Sequence, residues 1–172
     1  NLESRIRAFL LNAGFNEVIN FPFSSSKSDI KILNPIDSNN PFMRSNLSNS
    51  LLKNLEFNEK RQKESIKIFE ISDVYLKNGF DNTIKQVKKL CLIISGRQGR
   101  NFNNFNKKLD KKYLIEMFED IEVCVKDKII EHNRSKINTK SKAKIFSLEI
   151  NLDDLDTKKI ANLNPRLKYD FI

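Results

Sequence analysis

Two extended stretches flank the dipeptide Asn78-Gly79, and no other feature of the chain restricts its fold as much. Ile66, Ile68, Phe69 to Val74 and Leu76 suit a long half-buried strand. Leu90 to Ile94 is the longest uninterrupted apolar run and, with Ser95, reads as a buried strand. Asn-Gly tolerates positive φ and is the strongest local turn signal present. Strands joined by turns pair antiparallel. A five-residue apolar run also falls far below the ~18–20 residues that span a bilayer.

Helical periodicity supplies the layers that would cover such a sheet. Leu2, Ile6, Phe9, Leu10 and Ala13 share one helical face, and Gly14 stands where a left-handed cap is wanted. Leu47, Leu51, Leu52 and Leu55 predict a second helix to about Arg61. Its residues after Phe57 are mostly polar and are expected to face solvent or a partner. Tyr113, Leu114, Met117, Phe118 and Ile121 predict a third helix, after a loop from Gly96 to Lys112. Val18 to Phe23 reads as an extended run, and Pro22 inside it predicts an edge strand or a bulge, because proline cannot donate to a ladder. Ile30–Leu33, Ile129–Ile130 and Ile145–Ile150 are further strands, 153–160 a short helix and 162–172 an extended segment. The order predicts an α+β fold, mainly an antiparallel sheet flanked by helices.

The formal charge is +9, carried as +2 over residues 1–86 and +7 over 87–172. A basic half suits nucleic acid. Lysine dominates over arginine, however, and Asn, Ile and Phe are frequent while Ala and Gly are scarce. That pattern is what an AT-rich genome writes into a surface. Two cysteines, Cys91 and Cys124, make neither a disulfide framework nor a zinc site; they are expected to be core or half-buried thiols in a reducing cytoplasm. The start at Asn1, without Met, predicts a segment of a longer polypeptide.

Residue types that carry chemistry are sparse. His132 is the lone histidine and the lone base that could activate a serine. Gly96 and Gly99 do not make a phosphate loop. Asp153-Asp154 and Glu119-Asp120 fit solvated helix surfaces. The residues predict no catalytic group and no metal site.

One ordered set of motifs is more specific. Ala13-Gly14-Phe15-Asn16-Glu17-Val18-Ile19 is followed by Lys31-Ile32-Leu33-Asn34-Pro35-Ile36, then Phe42-Met43-Arg44-Ser45-Asn46-Leu47 and Leu51-Leu52-Lys53-Asn54-Leu55-Glu56-Phe57-Asn58. Ile68-Phe69-Glu70-Ile71 comes next. Phe146 to Asp153 and Pro165-Arg166-Leu167-Lys168-Tyr169-Asp170-Phe171 complete the set. This series resembles the β subunit of bacterial phenylalanyl-tRNA synthetases, in its class II synthetase-like module. The likeness is best over residues 2–95. It implies a catalytically inactive module over 1–160, and over 161–172 a linker and the start of a ferredoxin-like anticodon-binding domain.

The resemblance also implies roles. It places Glu70 at the glutamate of the second class II motif and Ile68 where catalytic members carry an arginine for the adenylate phosphate. The third motif has no counterpart. The segment is therefore expected to hold no cofactor, with ATP and magnesium serving the whole cytoplasmic heterotetramer. The implied partners are a catalytic α subunit and, through the assembly, tRNA, with no membrane. Phe15, Phe21, Pro35 and Arg44 become subunit-interface candidates, and Arg166 and Lys168 tRNA-contact candidates. Locally, Pro35 need be only a turn proline, and Phe15, Phe21 and Phe23 core aromatics. Arg44 need be only a surface or helix-start arginine; the sharper reading is a fixed guanidinium tying loop carbonyls or a partner carboxylate. His132-Asn133-Arg134-Ser135 departs from the family's His-Pro-Gly-Arg-Ser, and a strand pair is missing between Ile137 and Lys144. The alternative function is a free-standing basic tRNA- or RNA-binding module using residues 87–144.

Overall fold

The computed structural model describes residues 2–99, 103, 106–119 and 124–155. The expected helix 153–160 is represented there by a 3-10 turn at Leu152–Asp154. Its remainder, the boundary near 160, Arg166 and Lys168 lie outside the described residues.

Three helices, α1 (Leu2–Asn12), α2 (Ser48–Lys60) and α3 (Lys111–Glu119), pack on a five-stranded sheet. Its strands are β1 (Asn16–Glu17), β4 (Ser65–Lys77), β5 (Ile84–Gly96), β7 (Ile145–Asn151) and β6 (Ile129–His132), in the spatial order β1-β4-β5-β7-β6. Every pair is antiparallel except β1 with β4. A separate two-stranded ribbon joins β2 (Phe23–Ser24) to β3 (Phe42–Met43).

The β4–β5 hairpin is the spine, with Ser65 opposite Gly96 and Lys77 opposite Ile84. Both strands run further than the apolar pattern predicts. The outer half of β5 is polar and mostly exposed, and in β4 Leu76 and Lys77 are exposed while Val74 stays buried opposite Val87. Asn78-Gly79 does not form a two-residue turn. Residues 78–83 make a longer loop closed by Asn78 N–H on the Thr83 carbonyl at 2.8 Å, with positive φ at Asn82 instead.

Alternation along the strands gives the sheet two buried faces. Phe69, Leu90, Leu92, Ile94, Phe146, Leu148 and Ile150 face α1 and α3. Ile66, Ile68, Val74, Cys91, Ile93 and Ile145 face Leu47, Leu51 and Leu55 at α2. Fully burying one such side chain contributes about 1.5–3 kcal/mol, so these two clusters hold the layers together.

Two glycines are dictated by backbone geometry. Gly14, at φ +80°, closes α1: its N–H reaches the Leu11 carbonyl and the Phe15 N–H the Leu10 carbonyl, both at 3.0 Å. The half-buried Lys67 ammonium adds a bond to the Ala13 carbonyl at 2.8 Å, and burial pushes its pKa down. Gly96 ends β5 at φ +95°, where a Cβ would stand 1.8 Å from the Glu64 carbonyl oxygen.

Several expectations need correction. Val18–Phe23 is not one edge strand: Asn16–Glu17 pair with β4 in parallel, Val18 N–H adds one bond to the Phe69 carbonyl, and Phe23 belongs to the separate ribbon, while between them Asn20 bonds to a side chain and Pro22 has no donor. Ile30–Leu33 is reduced to a bridge between Lys31 and Phe42. Cys124 is exposed while Cys91 is buried. The end of α2 does not simply project outward, since Glu59 turns in to meet Arg134 at 2.6 Å. By contrast, residues 137–144 form a loop, in agreement with the expected absence of a strand pair there.

Two predictions follow from this geometry. Gly96→Ala should cost about 3 kcal/mol or more, read as a lower urea midpoint. His132 contacts the buried Ser147 hydroxyl at 2.6 Å, and burial lowers its pKa below 6.5. The fold thus favours neutral imidazole, so stability is intact above pH 6.5 and falls as pH drops from there to the lowered pKa. Denaturant titrations from pH 7.5 to 5.5 should show this loss, and His132→Gln should abolish it.

Candidate functional site

The face under α2 carries the resemblance-derived motifs, and its polar groups are set by register. Glu70 on β4, Cys91 on β5 and Glu149 on β7 lie side by side across the sheet. They sit on the same face as Ile68, Ile93 and Ile145, so two carboxylates are held among apolar side chains. Such groups are tolerated only when paired and hydrogen-bonded.

Glu70 is met by Arg44, which lies just after β3. Arg44 is 4% exposed and Glu70 1%. The Arg44 Nη1 donates to Glu70 Oε1 at 2.8 Å, Nε to the Asp73 carbonyl at 3.0 Å and Nη2 to the Ser72 hydroxyl. Asn20 completes the shell, giving its side-chain amide to Glu70 Oε2 at 2.8 Å and taking a bond from Asn54 on α2 at 3.0 Å. The Arg44 backbone is also used: its N–H reaches the Pro22 carbonyl and its carbonyl accepts from Tyr75 N–H.

Glu149 serves α2. Its Oε2 accepts from the N–H groups of Leu47 and Ser48, each at 3.1 Å, and its Oε1 from Lys89 at 2.9 Å. Leu47 has no capping side chain, so a strand residue supplies the anionic partner that a helix N-terminus favours. Between the two acids, burial and then the charges of Glu149 and Glu70 push the Cys91 thiol well up, which keeps it protonated and a poor nucleophile.

A third cluster closes the far end. Arg134 binds both oxygens of Glu59 at 2.6 Å, and Thr139 and Ser95 join it. Among the described residues, no buried side-chain polar atom lacks a partner, and no three His, Cys, Asp or Glu side chains converge as metal ligands.

The polar groups described on this face are thus committed to one another. The cavity beside Arg44, bordered by Ser24, Ser28, Asn46 and Asn49, encloses about 70 Å³. That admits a few waters, whereas small-molecule sites occupy roughly 300–1,000 Å³. His132 does contact a serine, but Ser147 is buried and out of a substrate's reach.

The sequence-derived candidates are not brought together. Phe15 is buried in the cluster under α1. Arg44 is spent inside the chain, partly on a carbonyl and partly on a carboxylate of its own. Phe21 is 82% exposed rather than core, and Pro35 is half-buried. Elsewhere in the same irregular stretch Ile19 is 91%, Leu33 96% and Ile36 97% exposed. Glu149, Lys89, Glu59 and Arg134 were missed as partners. A usable signal existed for Glu149, an acid at an inward position of an apolar strand; its pairing with Lys89 and that of Glu59 with Arg134 both join distant segments.

These layers and strand order define a class II aminoacyl-tRNA synthetase-like fold. The structure of a pyrrolysyl tRNA synthetase from Desulfitobacterium hafniense superposes with a TM-score of 0.57, covering 93% of this chain and 64% of that one at 12% identity. A family model, phenylalanyl tRNA synthetase beta chain CLM domain, matches residues 1–126, and the chain belongs to that family. Proteins named phenylalanine–tRNA ligase beta subunit are similar: 32% identity over 102 residues in Nitrosospira multiformis and 31% over 113 in Fusobacterium nucleatum. Those stretches cover 54% and 59% of this chain but 13% and 14% of the relatives, so the chain matches about an eighth of their length.

Arg44→Met, which leaves Glu70 buried without its cation, should cost about 3–5 kcal/mol. Arg44→Met with Glu70→Leu, which leaves no buried charge there, should recover part of that loss in chemical denaturation.

Proposed function

We propose that this chain is the synthetase-like, non-catalytic module of a phenylalanine–tRNA ligase β subunit. It supports ATP-dependent attachment of phenylalanine to tRNA by assembling with a catalytic α subunit. The observation that carries this reading is that the polar groups of the α2 face are committed to one another. Ile68 is buried where a catalytic relative would present an arginine, and Glu70 is consumed by Arg44 and Asn20. No charge is left there to neutralise an adenylate phosphate.

The exposed Ile19, Phe21, Leu33 and Ile36 support an assembly role. Solvent-exposed aliphatic and aromatic side chains on one irregular segment suit burial by another subunit. In this reading Phe21 and Pro35 meet the α subunit directly, while Arg44 and Phe15 hold the segment's base. ATP and magnesium act on the α subunit of a cytoplasmic heterotetramer, and tRNA binds the assembly, with Arg166 and Lys168 as contacts. No helix among the described residues is long and apolar enough to cross a membrane.

The full-length gene product should co-elute with the α subunit of the same genome in gel filtration. Phe21→Asp with Ile36→Asp should weaken that association at least about ten-fold, the scale of interface anchor residues. The chain alone should give no phenylalanine-dependent pyrophosphate exchange; measurable exchange overturns the reading.

A further inference from the structure

A large basic cleft lies at the Gly96 end of the sheet, away from the buried Arg44–Glu70 pair. It encloses about 1160 Å³ between the end of α2, the start of α3 and the loop before β7. Lys63 borders it on one side, Lys108, Lys111 and Lys112 on a second, and Lys140 and Lys142 on a third. With Arg97 and Lys144, eight cationic side chains line it against four carboxylates.

Three of those carboxylates are already committed. Glu59 is bound by Arg134 and Thr139. Glu131 pairs with Lys144 at 2.9 Å, and Asp110 accepts the Tyr113 N–H at 2.9 Å as the cap of α3. Lys112 pairs at 3.4 Å with Glu116 on the exposed side of α3. Lys63, Lys108, Lys111, Lys140 and Lys142 have no ion-pair partner among the described residues. A concave wall lined by one sign of charge concentrates potential and attracts the opposite charge.

The kind of anion follows from the residues. The cleft exceeds the usual volume of a small-molecule site. Its cations are mostly lysines, which act as mobile point charges, so they suit a repeating row of phosphates better than one fixed phosphate needing a bidentate fork. The aromatic lining residue, Phe146, is buried and offers no face for a base to stack on. These features select contact with a nucleic-acid backbone without base readout.

We propose that this cleft is a groove for the phosphate backbone of tRNA; the choice of tRNA as the polyanion rests on the synthetase-subunit reading above. The groove gives the lysine-rich second half of the chain a specific place of action. It binds through counterion release and is indifferent to sequence.

The test is filter binding of the full-length protein to a phenylalanine tRNA transcript between 50 and 200 mM salt. Lys111→Glu, Lys140→Glu and Lys142→Glu together should weaken binding at least ten-fold at 50 mM. They should also flatten the log–log salt slope by about 2, the effect of roughly two to three lost phosphate contacts. The matching triple alanine variant should show the same direction with a smaller change, and serves if the reversal impairs folding. Reversing the exposed Lys27, Lys77 and Lys85, away from the cleft, should leave affinity within two-fold. Wild-type affinity and slope in the cleft variants overturns the proposal. So does an equal loss in the distant variant, or an absence of tRNA binding by the wild type. Co-elution with the α subunit, measured in parallel, reports on the synthetase reading separately. A groove that fails beside intact co-elution refutes only the groove, and lost co-elution beside cleft-dependent binding refutes only that reading.

Discussion

The buried guanidinium of Arg44 is the contact on which the irregular part of this molecule depends. Residues 18–46 have little repetitive structure and several fully exposed apolar side chains, so hydrophobic burial alone does not seat them. Arg44 does so through five bonds, to Glu70, Ser72 and Asp73 by its side chain and to Pro22 and Tyr75 by its backbone. A buried ion pair adds little net stability over well-packed apolar residues, but breaking one is expensive. Its effect here is conformational: other placements of the segment leave Glu70 buried and unpaired.

The two faces of the sheet do different work. The α1/α3 face is an apolar core with Lys67 as its partly buried cation. The α2 face interleaves apolar side chains with three polar clusters, centred on Glu70, Glu149 and Glu59. Glu149 carries particular weight, because it joins β7 to the first N–H groups of α2 across a long sequence separation. It fixes where the helix begins over the sheet. Helix and sheet are therefore docked by a charge-assisted contact as well as by Leu47, Leu51 and Leu55. With α2 so placed, the cavity beside Arg44 encloses about 70 Å³, too little for a nucleotide, which supports the proposed non-catalytic role.

The surface divides in the same spirit. The irregular segment exposes apolar side chains, Phe21 and Ile36 among them, and a lysine-lined cleft lies at the Gly96 end of the sheet. The first suits a protein subunit and the second a polyanion. A net charge of +9 thus has a concentrated part as well as the diffuse part expected from composition.

Periodicity determined the three helices, the long β4 strand, the inner half of β5, the antiparallel character and the cap at Gly14. Those features depend on neighbours within a few residues, where side-chain spacing and backbone preference are decisive. The ordered motifs from Ala13 to Ile71 further determined the family. Tertiary structure alone decided that Asn20 serves Glu70 instead of a strand, and that Phe21 is outside while Phe15 is inside. It also decided that Glu59 turns inward to Arg134, that Glu149 caps α2, and that lysines from three segments share one cleft. Each outcome depends on groups dozens of residues apart, whose approach is set by strand register and by the requirement that buried charge find a partner. Local pattern carries no record of either.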